Sequence, residues 1–171
     1  GLRPEQVSVM VNHRKLMEGK LVELGIQEEF KKDVFRLIDR KDKLSFTAWE
    51  AYALEIGLTK EQFEGVNRLL SDQDLWKESA ELAAVFDLLS AMGLDEYIKF
   101  DPRIIRGLDY YTGIVFEAWD VGGDGRAVLG GGHYDNLVGD VGGNPLPGVG
   151  FAMGDVMATL LLQKYGCIPE F

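Results

Sequence analysis

The chain has 171 residues, is 46% hydrophobic and carries a formal charge of −10. That is enough to bury a real interior within one domain, or a core with one insertion, and it excludes disorder as the default. The negative balance argues against nucleic-acid binding by charge alone, since phosphate neutralisation needs clustered Lys and Arg.

The polar opening (GLRPE) does not resemble a secretory signal, and the apolar stretches are too short for a bilayer. The single Cys167 leaves no internal disulfide and no cysteine zinc cage. The expectation is a soluble, cytoplasmic protein with no membrane contact and no metal site. Charges are dispersed through helical patterns, as solvated helix faces require.

In chain order, the alternation of residues 7–11 (VSVMV) predicts a strand buried on one face. Asn12 is placed to cap a helix running to about Leu24, which Gly25 stops. From Gln27 to Met92 the pattern is helical, with Phe30, Val34, Phe35 and Ile38 at one-face spacing. Thr47 to Glu50 and Thr59 to Gln62 both match the capping box, and residues 75–92 form the longest helix candidate, closed by Gly93. Trp49, Tyr52, Phe63, Leu69, Trp76 and Phe86 read as the core of a small bundle.

Six of the 21 glycines precede Leu94 and fifteen follow it, and there the period switches to strand. Residues 97–101 (YIKFD), 113–119 (GIVFEAW) and 126–129 (RAVL) read as neighbouring antiparallel strands, with a hairpin turn at 122–125. A short helix at 134–138, a Gly/Pro loop at 139–147, a strand at 149–152 and a helix at 155–165 complete the chain.

Three constellations carry chemistry. In residues 106–113 (RGLDYYTG), Arg106 is suited to gripping a carboxylate or phosphate by two prongs, and Tyr110 and Tyr111 supply flat walls with polar tips. The same string also fits a strand-entry turn with a surface salt bridge. In residues 130–135 (GGGHYD), the glycines at a strand end leave room for a ligand against bare backbone. His133 there reads more readily as a hydrogen-bonded structural group than as a ligand or base, and with only His13 as company it makes no metal site. In residues 148–155 (GVGFAMGD), a glycine-punctuated strand enters a helix whose N-terminus could face an anion, although Asp155 fits better as a plain N-cap. The glycine spacing is not that of a dinucleotide fingerprint.

Residues 106–117 (RGLDYYTGIVFE) resemble the first histidine-specific signature of histidyl-tRNA synthetases, and residues 130–137 (GGGHYDNL) resemble the second. Residues 149–162 stand where class II synthetases carry their third motif, and residues 9–16 are similar to the strand and helix that follow the second. The resemblance implies an α+β fold: part of a class II antiparallel sheet flanked by helices (1–26 and 95–171), with an all-helical insertion at 27–94. It implies activation of histidine by ATP with Mg²⁺, then transfer to tRNA(His), in a full-length homodimer. By matching position, Arg106 would neutralise the histidine carboxylate and the α-phosphate. Tyr110, Tyr111 and Tyr134 would hold the imidazole, Gly131 and Gly132 would keep the pocket floor open, and Gly150 and Gly154 would lie near the adenylate.

The chain departs from the pattern at His133 and Met157, where the family usually has arginine. It also begins after the first and second motifs, so the resemblance implies a fragment that is inactive alone and binds neither ATP nor Mg²⁺ tightly. The alternative is the synthetase-like regulatory subunit of ATP phosphoribosyltransferase, which could tolerate lost phosphate-binding arginines.

Overall fold

Alternating valines build β1 (Val7–His13), and the chain turns directly into α1 (Arg14–Glu23). The computed structural model describes residues 1–105, 110–123 and 127–168. The cap of α1 is His13 rather than the expected Asn12: its ring accepts from the Leu16 amide, while Asn12 turns away and donates to the Pro102 carbonyl at 3.0 Å. The helix stops as predicted, at Gly25 with φ +70°.

Helices then follow one another: α2 (Lys31–Asp39), α3 (Phe46–Glu55), α4 (Lys60–Leu69) and α5 (Ala80–Ala91). At α4 the capping box is complete, with Thr59 Oγ1 accepting from the Gln62 amide and Gln62 Oε1 from the Thr59 amide. At α3 it is not: Ser45, two residues earlier, caps through the Ala48 amide, and Thr47 lies inside the first turn. The single helix expected over 75–92 is two pieces. A 3₁₀ turn (Leu75–Glu78) ends at Ser79, whose extended backbone and hydroxyl restart the chain as the cap of α5.

The sheet is mixed, in the order β2-β1-β3-β4-β5, with β2 (Ile98–Phe100), β3 (Ile114–Asp120), β4 (Ala127–Tyr134) and β5 (Gly148–Met153). Strand β2 pairs in parallel with β1 and does not neighbour β3, which corrects the all-antiparallel expectation. The reason is topological. Parallel neighbours need a long crossover, and the helices between β1 and β2 supply it. The remaining pairs are antiparallel. The triple glycine lies inside β4 rather than at its end, the short helix α6 is Leu137–Asp140, and Gly154 caps α7 (Asp155–Lys164) in place of Asp155.

Register divides the sheet into two faces. Val9, Val11, Ile98, Phe100, Ile114 and Phe116 share one, and all join a single buried cluster with Met17, Leu21, Leu37, Trp49, Phe63 and Leu82 of the helices. The opposite face carries Ser8, Met10, Asn12, Glu117 and Trp119. Ser8 and Asn12 are fully buried as well, so central β1 is covered on both faces near its ends, not on one.

Helix α7 is fastened to the β3 end by Asp120, whose carboxylate accepts from Lys164 Nζ at 2.6 Å, the Tyr165 hydroxyl at 2.8 Å and the Gly122 amide at 3.1 Å. Burial pushes this carboxyl upward, but the bonds from Lys164, Tyr165 and Gly122 outweigh it and hold it below its ordinary 3.8. A depressed carboxyl contributes stability that is fully present above the unfolded value and is lost as pH falls through the folded one. Acid titration of Asp120→Asn should therefore show a shallower loss of stability below about pH 4 than the parent chain. Identical slopes would mean the fastening does not couple to folding.

Candidate functional site

Three tyrosines meet on the face of the sheet opposite the helices. Tyr110 and Tyr111 precede β3, and Tyr134 ends β4. The Tyr110 ring lies edge-on to Tyr111, with centroids 4.8 Å apart, and to Tyr134 at 5.7 Å. Burial, then a hydrogen bond with Tyr110 and the nearby Tyr110 and Tyr134, push the Tyr111 phenol above its ordinary value. It therefore stays protonated, and a potential donor, at neutral pH.

Glycine makes this packing possible, for a reason the sequence suggested only in outline. Successive residues of β4 face opposite sides of the sheet. A Cβ on Gly132 would stand 2.9 Å from the Tyr111 ring and 2.9 Å from the Ile114 carbonyl. On Gly148 it would stand 2.6 Å from the Tyr134 ring, and on Gly150 3.4 Å. On Gly131 it would instead meet Phe116 and Phe151 on the helix side. So Gly132, Gly148 and Gly150 lie beneath the tyrosines, while Gly131 serves close packing behind the sheet. Gly154 sits at the cap of α7, beside Met157.

A consequence is measurable. Gly132→Ala should cost about 1–3 kcal/mol, because one of the two clashing groups is strand backbone that cannot move aside. The urea midpoint reads the loss, and the near-ultraviolet tyrosine signal should change with it. An unaltered midpoint would show that the ring and strand relax without strain.

The tyrosine segment is tied down beside β4. The Thr112 amide donates to the His133 carbonyl at 2.9 Å, and the Arg14 amide to the Gly113 carbonyl at 3.0 Å. The Thr112 hydroxyl donates to Asp135 Oδ2 at 2.9 Å and accepts from the Asp135 amide at 3.0 Å. Lys15 reaches the same carboxylate at 3.2 Å, and the His133 ring approaches its other oxygen at 3.4 Å. Thr112, Lys15 and Asp135 each stood within a quoted string but carried no individual role from sequence. Their partners lie 23 and 120 residues apart, beyond any local pattern.

Arg106, the expected clamp, lies outside the described residues. Arg103 nearby is not free to take its place: its fork is held by both oxygens of Asp101 and by Asp42, all within 2.9 Å. The hydrogen bonds it donates to Asp101 outweigh burial and raise its pKa above the ordinary arginine value. A cleft of about 600 Å³ is lined by Met10, Lys99, Glu117 and Trp119 of the sheet and by Ile38 and Asp39 of α2. Glu117 is the β3 neighbour of Gly130, so the cleft adjoins the glycine strand.

Residues 2–156 match the family described as histidyl-tRNA synthetase. A histidine–tRNA ligase of Opitutus terrae is 35% identical, with 100% of this chain and 43% of that protein covered. Among solved structures, a histidyl-tRNA synthetase from a Nostoc species superposes with a TM-score of 0.78 at 25% identity, covering 98% of this chain and 44% of that one. A Bacillus halodurans protein described as an ATP phosphoribosyltransferase regulatory subunit/histidyl-tRNA synthetase superposes at 0.71 with 22% identity, covering 91% of this chain and 44% of its own, and shows the fold alone. The chain spans about two fifths of the length of the curated relatives it matches.

Proposed function

The chain belongs to the histidyl-tRNA synthetase family, and from that premise we propose that it is the histidine-recognising portion of a histidine–tRNA ligase. In the whole enzyme the histidine carboxylate would attack the α-phosphorus of ATP and expel pyrophosphate. The histidyl group would then pass to tRNA(His). No covalent nucleophile on the protein is needed, because ATP supplies the activation.

The observation that carries the reading is the convergence of Tyr111, Tyr134 and the backbone of Gly132 on one sheet face. Flat aromatic walls with a protonated phenol suit an imidazole, which offers a ring face and both a donor and an acceptor. Tyr110 holds the other two rings edge-on. Gly131 contributes by letting β4 approach Phe116, and Gly150 and Gly154 border the place assigned to the adenylate. Arg106 would meet the carboxylate and α-phosphate as charge develops there.

Residues 1–26 and 95–171 are then part of the catalytic core and 27–94 its helical insertion, within a homodimeric, cytoplasmic protein. No helix among the described residues is long and apolar enough to cross a membrane. Nor do three His, Cys, Asp or Glu side chains among them converge on a metal position.

Histidine-dependent ATP–pyrophosphate exchange by the full-length protein tests the reading. Exchange that requires histidine supports it. A second reading, the regulatory subunit of ATP phosphoribosyltransferase, draws on Met157, whose thioether cannot hold a γ-phosphate as a forked cation can. Absent exchange together with tight binding to the phosphoribosyltransferase would select it.

A further inference from the structure

We propose that Thr112 and Asp135 form a positioning pair that holds the Tyr110–Tyr111 segment in its binding geometry. The inference rests on reading the tyrosine cluster as the histidine pocket. Neither residue reaches the rings themselves, and both act through the backbone between them.

The geometry is reciprocal. The Thr112 hydroxyl gives its proton to Asp135 Oδ2 and takes the Asp135 amide proton on its own lone pair, at 2.9 and 3.0 Å. Each group is thereby both donor and acceptor, which fixes the hydroxyl rotor and the register of the two segments together. The Thr112 amide bonds the His133 carbonyl, adding a third tie within the same few residues. Tyr111 immediately precedes Thr112 and Tyr134 immediately precedes Asp135, so the ties set the distance between the two rings.

The surrounding charges reinforce the carboxylate rather than compete with it. Lys15 and His133 both approach Asp135, and the His133 ring rests where a Cβ on Gly113 would come within 2.5 Å of its Nδ1. His133, standing where the family usually has arginine, thus has a site of its own beside this carboxylate. Lys15 and Asp135 are 59% and 37% exposed, so their ion pair is weakened by solvent. The hydroxyl ring of bonds is the stronger constraint.

A segment tied before substrate arrives need not be ordered on binding, and a loosened one must be. The predicted signature of losing the tie is a specific one: weaker histidine binding with little change in turnover once bound.

The experiment uses the full-length protein with Thr112→Val, which keeps the shape and removes the hydroxyl, and Thr112→Ser, which restores it. The valine variant should raise the KM for histidine about tenfold, as the loss of one or two hydrogen bonds implies, with kcat and the KM for ATP within about threefold. The serine variant should return to within about twofold of the parent, since one good hydrogen bond separates it from valine. An unchanged histidine KM, an equal rise for both substrates, or serine as poor as valine would overturn the proposal.

Hydrogen exchange separates this outcome from failure of the histidine reading itself. Should the parent protein show no histidine-dependent exchange of pyrophosphate, faster amide exchange over residues 110–113 in Thr112→Val still supports the tie, and unaltered exchange there refutes it.

Discussion

Replacing Arg106 with alanine in the full-length protein is expected to lower the kcat of histidine-dependent ATP–pyrophosphate exchange by about 10²–10³-fold, the usual cost of removing one preorganised charge-stabilising group. The attacking carboxylate and the α-phosphate are both anionic, and negative charge gathers on the phosphoryl oxygens as the bond forms. A guanidinium can meet two oxygens in one plane, and it matters most when that charge is greatest. The loss should therefore fall on kcat more than on KM. Lysine at the same position keeps the charge but not the fork, and should recover only part of the rate.

Both flanks of the segment are anchored. Ile105 is 4% exposed in the main buried cluster, and Thr112 is bonded to β4. A variant within about threefold of the parent would remove Arg106 from the chemistry, since that is too small for a lost transition-state contact.

What the sequence disclosed was whatever lies within one element. The stop at Gly25, the box at Thr59 and the strand run that became β3 need only neighbours a few residues away, and each was legible. The parallel partner of β2 was not, because pairing depends on where a crossover of some eighty residues returns the chain. The break at Ser79 was hidden for a different reason. The apolar period on either side of it suits one helix, and only the cap geometry interrupts it.

The site followed the same rule. Its tyrosines and glycines were visible as adjacent letters, yet the division of labour between Gly131 and Gly132 appears only when β4 is a strand with two faces. The tie from Thr112 to Asp135 joins the ends of a hairpin, and nothing in either local string marks it. Asn12 illustrates the competition directly. It has the chemistry of a cap, but a buried carbonyl at Pro102 takes its amide, and His13 caps in its stead.

Trp49→Ala should be the most destabilising single change in the helical region. Trp49 is 1% exposed, its Nε1 donates to the Leu37 carbonyl at 2.8 Å, and its ring stands edge-on to Phe63 at 4.8 Å with Lys41 Nζ 5.0 Å from its centre. Truncation forfeits the transfer energy of the indole and leaves a cavity between α2, α3 and α4, a loss of about 3–5 kcal/mol. Against a typical total of about 5–15 kcal/mol that is a large fraction, and the thermal midpoint should fall by about 10 °C.

Trp49→Phe should lose less, because the Leu37 carbonyl keeps its bond from the Arg40 amide at 3.2 Å and is not left bare. The form of the transition is as informative as its midpoint. Val11 of β1 and Leu37, Trp49 and Phe63 of the helices belong to one buried cluster, so sheet and helices should unfold together and the far-ultraviolet signal should shift as one step. Two resolved steps, with only the first moved by the substitution, would instead make residues 27–94 an independently folding unit. A midpoint within about 2 °C of the parent would contradict the cavity argument outright.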